Sequence, residues 1–191
     1  MLEAAKRALA HREALKHARR REVRPWDPDP ARRRVLVLLP TDEEEARDAW
    51  RFVQSLGVSH RLVTPVVPDV AVTYVPVEHI GRVHRLEGKE LGLLALPKKE
   101  FVAKVWAEPP AVAFCLIREP DPAALFLVGA SSAAFRVGFH ADRAEPFFDL
   151  MVSGGASYAE ALALLRRALA RIAPPVLPMD GDEGGGRPGR R

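Results

Sequence analysis

Residues 34–67, RVLVLLPTDEEEARDAWRFVQSLGVSHRLVTPVV, carry the pattern that decides the fold. Their first part, "RVLVLLP", is a continuous apolar run, which is typical of a strand buried on both faces. Apolar residues at helical spacing follow as far as about Leu56, and Gly57 provides the expected helix end. Since "HRLVTPVV" (60–67) predicts a second strand, the stretch predicts a βαβ unit with parallel strands.

The same alternation of strand and helix continues along the chain. Three further segments have the composition of strands: "AVAFCLI" (111–117), "FRVGF" (135–139) and "FFDLMVS" (147–153). Asp121 is placed to cap the helix between the first two, and Ser157 with Glu160 forms a capping box at the last helix. We therefore expect an α/β fold, a Rossmann-like or flavodoxin-like three-layer sandwich with a mostly parallel sheet of about five strands.

Charge divides the chain unevenly. Residues 1–34 contain eleven Lys or Arg against five acidic residues, so this segment has a net charge of +6 and the remainder −2. Composition predicts four regions: a basic helix over 1–24 that protrudes from the domain, a Pro-rich linker over 25–33, the α/β domain over 34–173, and a disordered tail over 174–191.

The basic helix is the first candidate functional element. We expect its cations to contact an anionic partner, RNA or a ribonucleoprotein, because cationic side chains bind phosphate backbones without any sequence motif. The side chains concerned are Lys6, Arg7, Arg12, Lys16, Arg19, Arg20 and Arg21. A membrane surface is less favoured, since the helix lacks the large apolar face of interfacial helices. The alternatives are a helix that docks on the domain or on a second copy of the chain.

The second candidate is a ligand site at the carboxyl ends of the strands, where ligands bind in such folds. The residues expected there are Thr41, Asp42, Arg118, Gly138, His140 and Asp149. Arg118 has the fork geometry that binds anions, and His140 is a candidate proton carrier. Structural roles compete with these: Thr41 and Asp42 fit helix capping, with Thr41 and Glu44 spaced as a capping box, and Gly138 fits a strand that needs close packing.

The sequence lacks the residues that several common functions require. The first strand-to-helix turn, "LLPTDEEE" (38–45), has no glycine and three glutamates, which opposes the phosphate binding of a dinucleotide fold or a P-loop. A single cysteine, Cys115, excludes an internal disulfide and is expected in the core. The histidines show no metal-binding spacing. We expect no cofactor and no metal, assign no catalytic residue, and expect cytoplasmic residence because the N-terminus lacks a signal-peptide core.

The motifs Phe135-Arg136-Val137-Gly138 and Asp149-Leu150-Met151 resemble a family of bacterial proteins catalogued as a domain of unknown function. The resemblance covers most of residues 1–172 and implies a small cytoplasmic α/β protein with a charged N-terminal helix. More distantly, the strand, small-residue helix and "RVGF" (136–139) are similar to the amino-terminal half of heptosyltransferase-type glycosyltransferases. That likeness implies a Rossmann-like topology only.

The expected function is accordingly that of a non-catalytic binding or accessory protein whose basic helix contacts an anionic partner. One alternative is an enzyme acting on a small polar metabolite through Arg118 and His140. Another is a protein-partner module or homodimer that uses an apolar patch around Phe147 and Phe148, or Trp106.

Overall fold

Five α-helices and six strands make up the described part of the chain. The computed structural model of the protein describes residues 2–25, 33–68, 75 and 83–172. The helices are α1 (Leu2–Arg19), α2 (Glu43–Gln54), α3 (Lys99–Val105), α4 (Pro122–Gly129) and α5 (Tyr158–Ile172). The strands are β1 (Val35–Leu38), β2 (Val63–Pro68), β3 (His84–Leu86), β4 (Val112–Cys115), β5 (Phe135–Phe139) and β6 (Leu150–Val152). Most of the predicted linker and all of the predicted tail lie outside the described residues.

The strands form one six-stranded sheet in the order β3-β2-β1-β4-β5-β6. Every neighbouring pair is parallel, and Val35 of β1 pairs with Val63 on one side and Val112 on the other. This is the strand order of the doubly wound Rossmann fold. The expected parallel α/β sandwich is confirmed, with six strands in place of about five.

Each face of the sheet carries its own hydrophobic core. Alternate residues of β1 point to opposite faces, so Val35 and Val37 join the core under α2 and α5, whereas Leu36 and Leu38 join the core under α1, α3 and α4. All four are at most 2% exposed. Burial on both faces explains why the strand sequences are continuous apolar runs.

Helix α1 does not protrude, so that part of the prediction is wrong. One of its faces consists of small residues that are 1%, 0% and 6% exposed: Ala10, Ala14 and Ala18. This face packs on α4, where side chains without bulk allow two helices to approach closely. The chain after the helix is held as well, since the Arg24 amide donates to the Ser132 carbonyl at 2.8 Å and the Arg21 guanidinium to the Ala133 carbonyl at 2.5 Å.

The helix caps agree with the sequence at two of three positions. Asp121 caps α4, and Ser157 with Glu160 forms the capping box before α5. At α2 the predicted Thr41 cap is wrong, because Asp42 takes that position. One carboxylate oxygen of Asp42 accepts two backbone amides of the first turn at 3.0 Å each.

Candidate functional site

A cleft of about 1180 Å³ lies at the carboxyl ends of β1, β4, β5 and β6. The strand order reverses between β1 and β4, so the cleft occupies the switch point where doubly wound folds bind ligands. It is lined by residues of six segments: 4–11 of α1, 40–45, 117–125, 139–143, 152–154 and Ala161 of α5. Helix α1 therefore forms one wall of the cleft.

Four of the six residues predicted at the strand ends line this cleft, namely Thr41, Asp42, Arg118 and His140. Asp42 is engaged in capping α2. The exposed Arg118 guanidinium donates one hydrogen bond, to the Gly155 carbonyl at 3.3 Å. Thr41, Arg118 and His140 thus face the cleft from the ends of three adjacent strands.

Gly138 lies within β5, where it pairs with Cys115 of β4 and Met151 of β6. A Cβ added at this position would lie 2.7 Å from the Cζ atom of Phe148. The phenyl ring occupies the space that a side chain would need. Gly138 is therefore required for packing and does not line the cleft.

Asp149 lies at the opposite end of the sheet, just before β6 begins. Its carboxylate accepts three hydrogen bonds from Arg136: the backbone amide and Nε at 2.9 and 3.0 Å, and Nη2 at 2.8 Å. Nη2 of Arg21 lies 3.8 Å from the same carboxylate. Burial raises the pKa of Asp149, but the hydrogen bonds and charge of Arg136, with the charge of Arg21, outweigh it and leave the pKa lowered. Asp149 is a structural anion, so its predicted place among the ligand-binding residues is not supported by its position.

The structure adds residues to the cleft that the strand-end rule did not predict. Arg7 and His11 project from α1, and Arg143 comes from the loop after β5, where its φ of 63° lies in the left-handed region. Burial, and then the nearby charge of Arg143, lower the pKa of His11. Arg7 was predicted to serve an outer, partner-binding surface instead. The alanine spacing of α1 is the sequence signal that could have placed Arg7 and His11 here, since both belong to the same helix face as Ala14.

The helix ends at the cleft are already capped by the chain itself. Asp42 caps α2, and Asp121 accepts the Ala124 amide at 2.8 Å at α4. Glu160 accepts the Ala156 amide at 2.7 Å before α5. Dinucleotide folds bind pyrophosphate through such amides. Any anion in this cleft must therefore be held mainly by side chains.

Glu45, on the first turn of α2, is the half-buried carboxylate of the cleft. Burial raises its pKa and the neighbouring Asp42 raises it further, while Arg118 acts in the opposite direction. Within the described residues, no Lys, Arg or His lies within ion-pair distance of Glu45. This carboxylate thus faces the cleft without a direct counter-charge.

Two potential nucleophiles near these strand ends belong to the core. Cys115 is fully buried, and burial raises its pKa to about 12. Tyr158 donates its hydroxyl to the Leu116 carbonyl at 2.7 Å, and burial followed by the charge of Glu45 raises its pKa. Among the described residues no group of three or more His, Cys, Asp or Glu could hold a metal ion.

The other cations predicted to bind an anionic partner do not line the cleft, and Lys6 among them is half-buried. Arg12, Lys16, Arg19 and Arg20 are exposed, and Lys16 contacts Glu13 at 3.1 Å. Arg21, with a side chain only 9% exposed, is paired with Asp149 and is not available to a partner.

The aromatic patch proposed for protein contacts is not exposed. Phe147 is 0% and Phe148 7% exposed, so this part of the prediction is wrong. Trp106 is half-buried and stacks on Phe126 with ring centroids 6.0 Å apart.

No family model matches the chain, and no curated protein or solved structure matches it. In the described residues, no helix is both long and apolar enough to cross a membrane.

Proposed function

We propose that the protein binds a small anionic metabolite in the cleft. The observation that carries this proposal is the convergence of Arg7, Arg118 and Arg143, from three separate segments, on one cavity. None of the three forms an ion pair with a described residue. Guanidinium groups bind carboxylates and phosphates through paired hydrogen bonds.

Two imidazoles lie beside these arginines in the cleft. His11 and His140 both face the cleft, and the lowered pKa of His11 reflects its burial and the nearby Arg143. A bound anion would favour the protonated form of His11, so anion affinity is expected to rise as the pH falls. An enzyme acting on the bound anion is the alternative, supported by the shared location of Arg118 and His140.

Titration of isotope-labelled protein with inorganic phosphate and with acetate, at constant ionic strength, tests the proposal. Amide shifts are expected to concentrate at residues 40–45, 117–120 and 139–143. Arg118→Gln is expected to weaken binding by about tenfold, the loss typical of one charged hydrogen-bonding group. Arg167→Gln, an exposed site on α5 outside the cleft, is the matched control. Shifts spread over the surface, or equal affinities for both variants, would overturn the proposal.

The exposed face of α1 supports a second candidate, contact with an anionic polymer such as RNA. Arg12, Lys16 and Arg19 have i, i+4, i+7 spacing, which places them on one helix face opposite the buried alanines. Deleting α1 would disturb the core, so charge removal is the appropriate test. Changing Arg12, Arg19 and Arg20 to Gln removes three charges, so the slope of log K against log salt concentration for a 20-nucleotide RNA is expected to become shallower by about 2. An unchanged salt slope would exclude this surface.

A further inference from the structure

The walls of the cleft carry charges of opposite sign. Glu45 belongs to α2, in the helix layer that α2 and α5 form on one side of the sheet. Arg7 and His11 belong to α1, in the layer on the other side, and Arg143 lies near His11. Glu119, beside Arg118, and Asp142, beside Arg143, also line the cleft, so both signs of charge are present around it.

Neither group is neutralised by a close counter-charge. Glu45 forms no ion pair with a described residue, and the same is true of Arg7 and Arg143. Arg118, the cation that influences Glu45, donates its hydrogen bond to a carbonyl. A simple anion would be attracted by the arginines and repelled by Glu45.

We infer that the ligand is zwitterionic, with its phosphate or carboxylate bound by Arg7 and Arg143 and its ammonium group by Glu45. This inference rests on the proposed anion-binding function of the same cleft. A carboxylate provides a direct partner for an ammonium group and repels a second anion. The ligand's positive end therefore explains why a half-buried carboxylate lines a cleft rich in arginine.

The positions of the two charged groups favour a long ligand. Glu45 follows β1 and Arg143 follows β5, two strand positions away, which at about 4.8 Å per strand is roughly 10 Å along the sheet. The two groups also lie toward opposite faces of the sheet, which adds to their separation. We therefore expect a chain of four to six carbons between the ligand's charged groups to suit the cleft better than a chain of two.

Aminoalkyl phosphates of two, four and six carbons, compared with alkyl phosphates of equal length, provide the test by isothermal titration. We expect 6-aminohexyl phosphate or its four-carbon homologue to bind about tenfold tighter than the matching alkyl phosphate. Glu45→Gln should abolish this preference. Glu44→Gln, an exposed neighbour that does not line the cleft, should retain it.

The outcomes separate the two proposals. Equal affinity for aminoalkyl and alkyl phosphates would overturn the zwitterionic ligand and leave anion binding in place. A preference that survives Glu45→Gln would overturn the assignment of Glu45 as the ammonium partner. No binding of any phosphate would refute the anion-binding function, and the zwitterionic ligand with it.

Discussion

Asp149→Asn tests the buried ion pair that ties β5 and β6 to the end of α1. The carboxylate is 31% exposed, whereas its partners Arg136 and Arg21 are 8% and 9% exposed. Asparagine keeps the shape but removes the charge, which leaves two largely buried guanidinium groups without this counter-ion. Breaking a buried pair costs about 3–5 kcal/mol, and the partial exposure of Asp149 lowers the expected loss in unfolding free energy to about 2–4 kcal/mol.

Asp48→Asn is the matched control for this experiment. Its carboxylate is 34% exposed, close to that of Asp149, but its partner Arg51 is 74% exposed. The expected loss is about 0–1 kcal/mol, as for most surface pairs. Urea unfolding followed by circular dichroism measures both variants. Equal losses for the two variants at pH 7 would refute the reasoning, because exposure of the partner is the difference between them.

The pH dependence has a defined sign. Since the folded-state pKa of Asp149 is lowered, its contribution is fully present above the unfolded value of about 3.9 and is lost as the pH falls through the folded value. The stability difference between the wild type and Asp149→Asn should therefore shrink below about pH 4. A difference that stays constant from pH 7 to pH 3 would contradict the lowered pKa.

Three further changes probe packing and burial. Gly138→Ala should lower the unfolding free energy by about 1–3 kcal/mol, because the added Cβ meets the aromatic ring of Phe148. Gly88→Ala is the control: its Cβ meets nothing within 4 Å, so the unfolding free energy should change by less than about 0.5 kcal/mol. Equal losses of the two variants in urea titrations would refute the contact. Ala14→Glu should lower the unfolding free energy by about 2–4 kcal/mol, because it buries an unpaired carboxylate. The control Ala5→Glu, at an exposed position of the same helix, should leave the unfolding free energy nearly unchanged. An unchanged unfolding free energy for Ala14→Glu would mean that α1 is not docked in solution. Cys115, with its pKa raised to about 12, should resist a disulfide reagent in the native protein and react fully in denaturant, as thiol titration would show.

The central elements of the fold are predictable from local sequence. β1 and β4 are apolar throughout because both of their faces are buried, and that pattern needs no knowledge of the partners. The Asp121 cap follows from a polar residue just before a proline and an apolar helix. Placing Thr41, Arg118 and His140 around one cleft follows from the strand-end rule once the strands are assigned.

Other features depend on contacts between distant segments. The pairing of Arg136 with Asp149 requires the register of β5 against β6, which neither sequence reveals alone. The cap at α2 was assigned one residue early because Thr41 and Asp42 are both good capping residues. Chain geometry, not composition, decides between such neighbours.

The docking of α1 on the domain is hard to predict from hydropathy, because the packing face of this helix is made of alanine. Alanines at positions 10, 14 and 18 have the spacing of a buried stripe, but alanine is also the commonest choice for an exposed helix, so the stripe carries little hydropathy signal. Once this face is docked on α4, the cations of the N-terminal segment have different surroundings. Arg7 lines the cleft, and Arg21 is paired with Asp149. The exposed cations outside the cleft are Arg12, Lys16, Arg19 and Arg20.

The basic segment can therefore support two different functions, one on each of its faces. A net charge counted along the sequence predicts one cationic surface, whereas the folded helix presents a cleft wall and a separate outer face. Ligand affinity that depends on Arg7 but not on the outer cations would locate the function in the cleft; the reverse dependence would locate it on the helix surface. Because the two faces lie on different sides of the helix, substitutions on one leave the other intact, and the two proposed functions can be tested independently in the same folded protein.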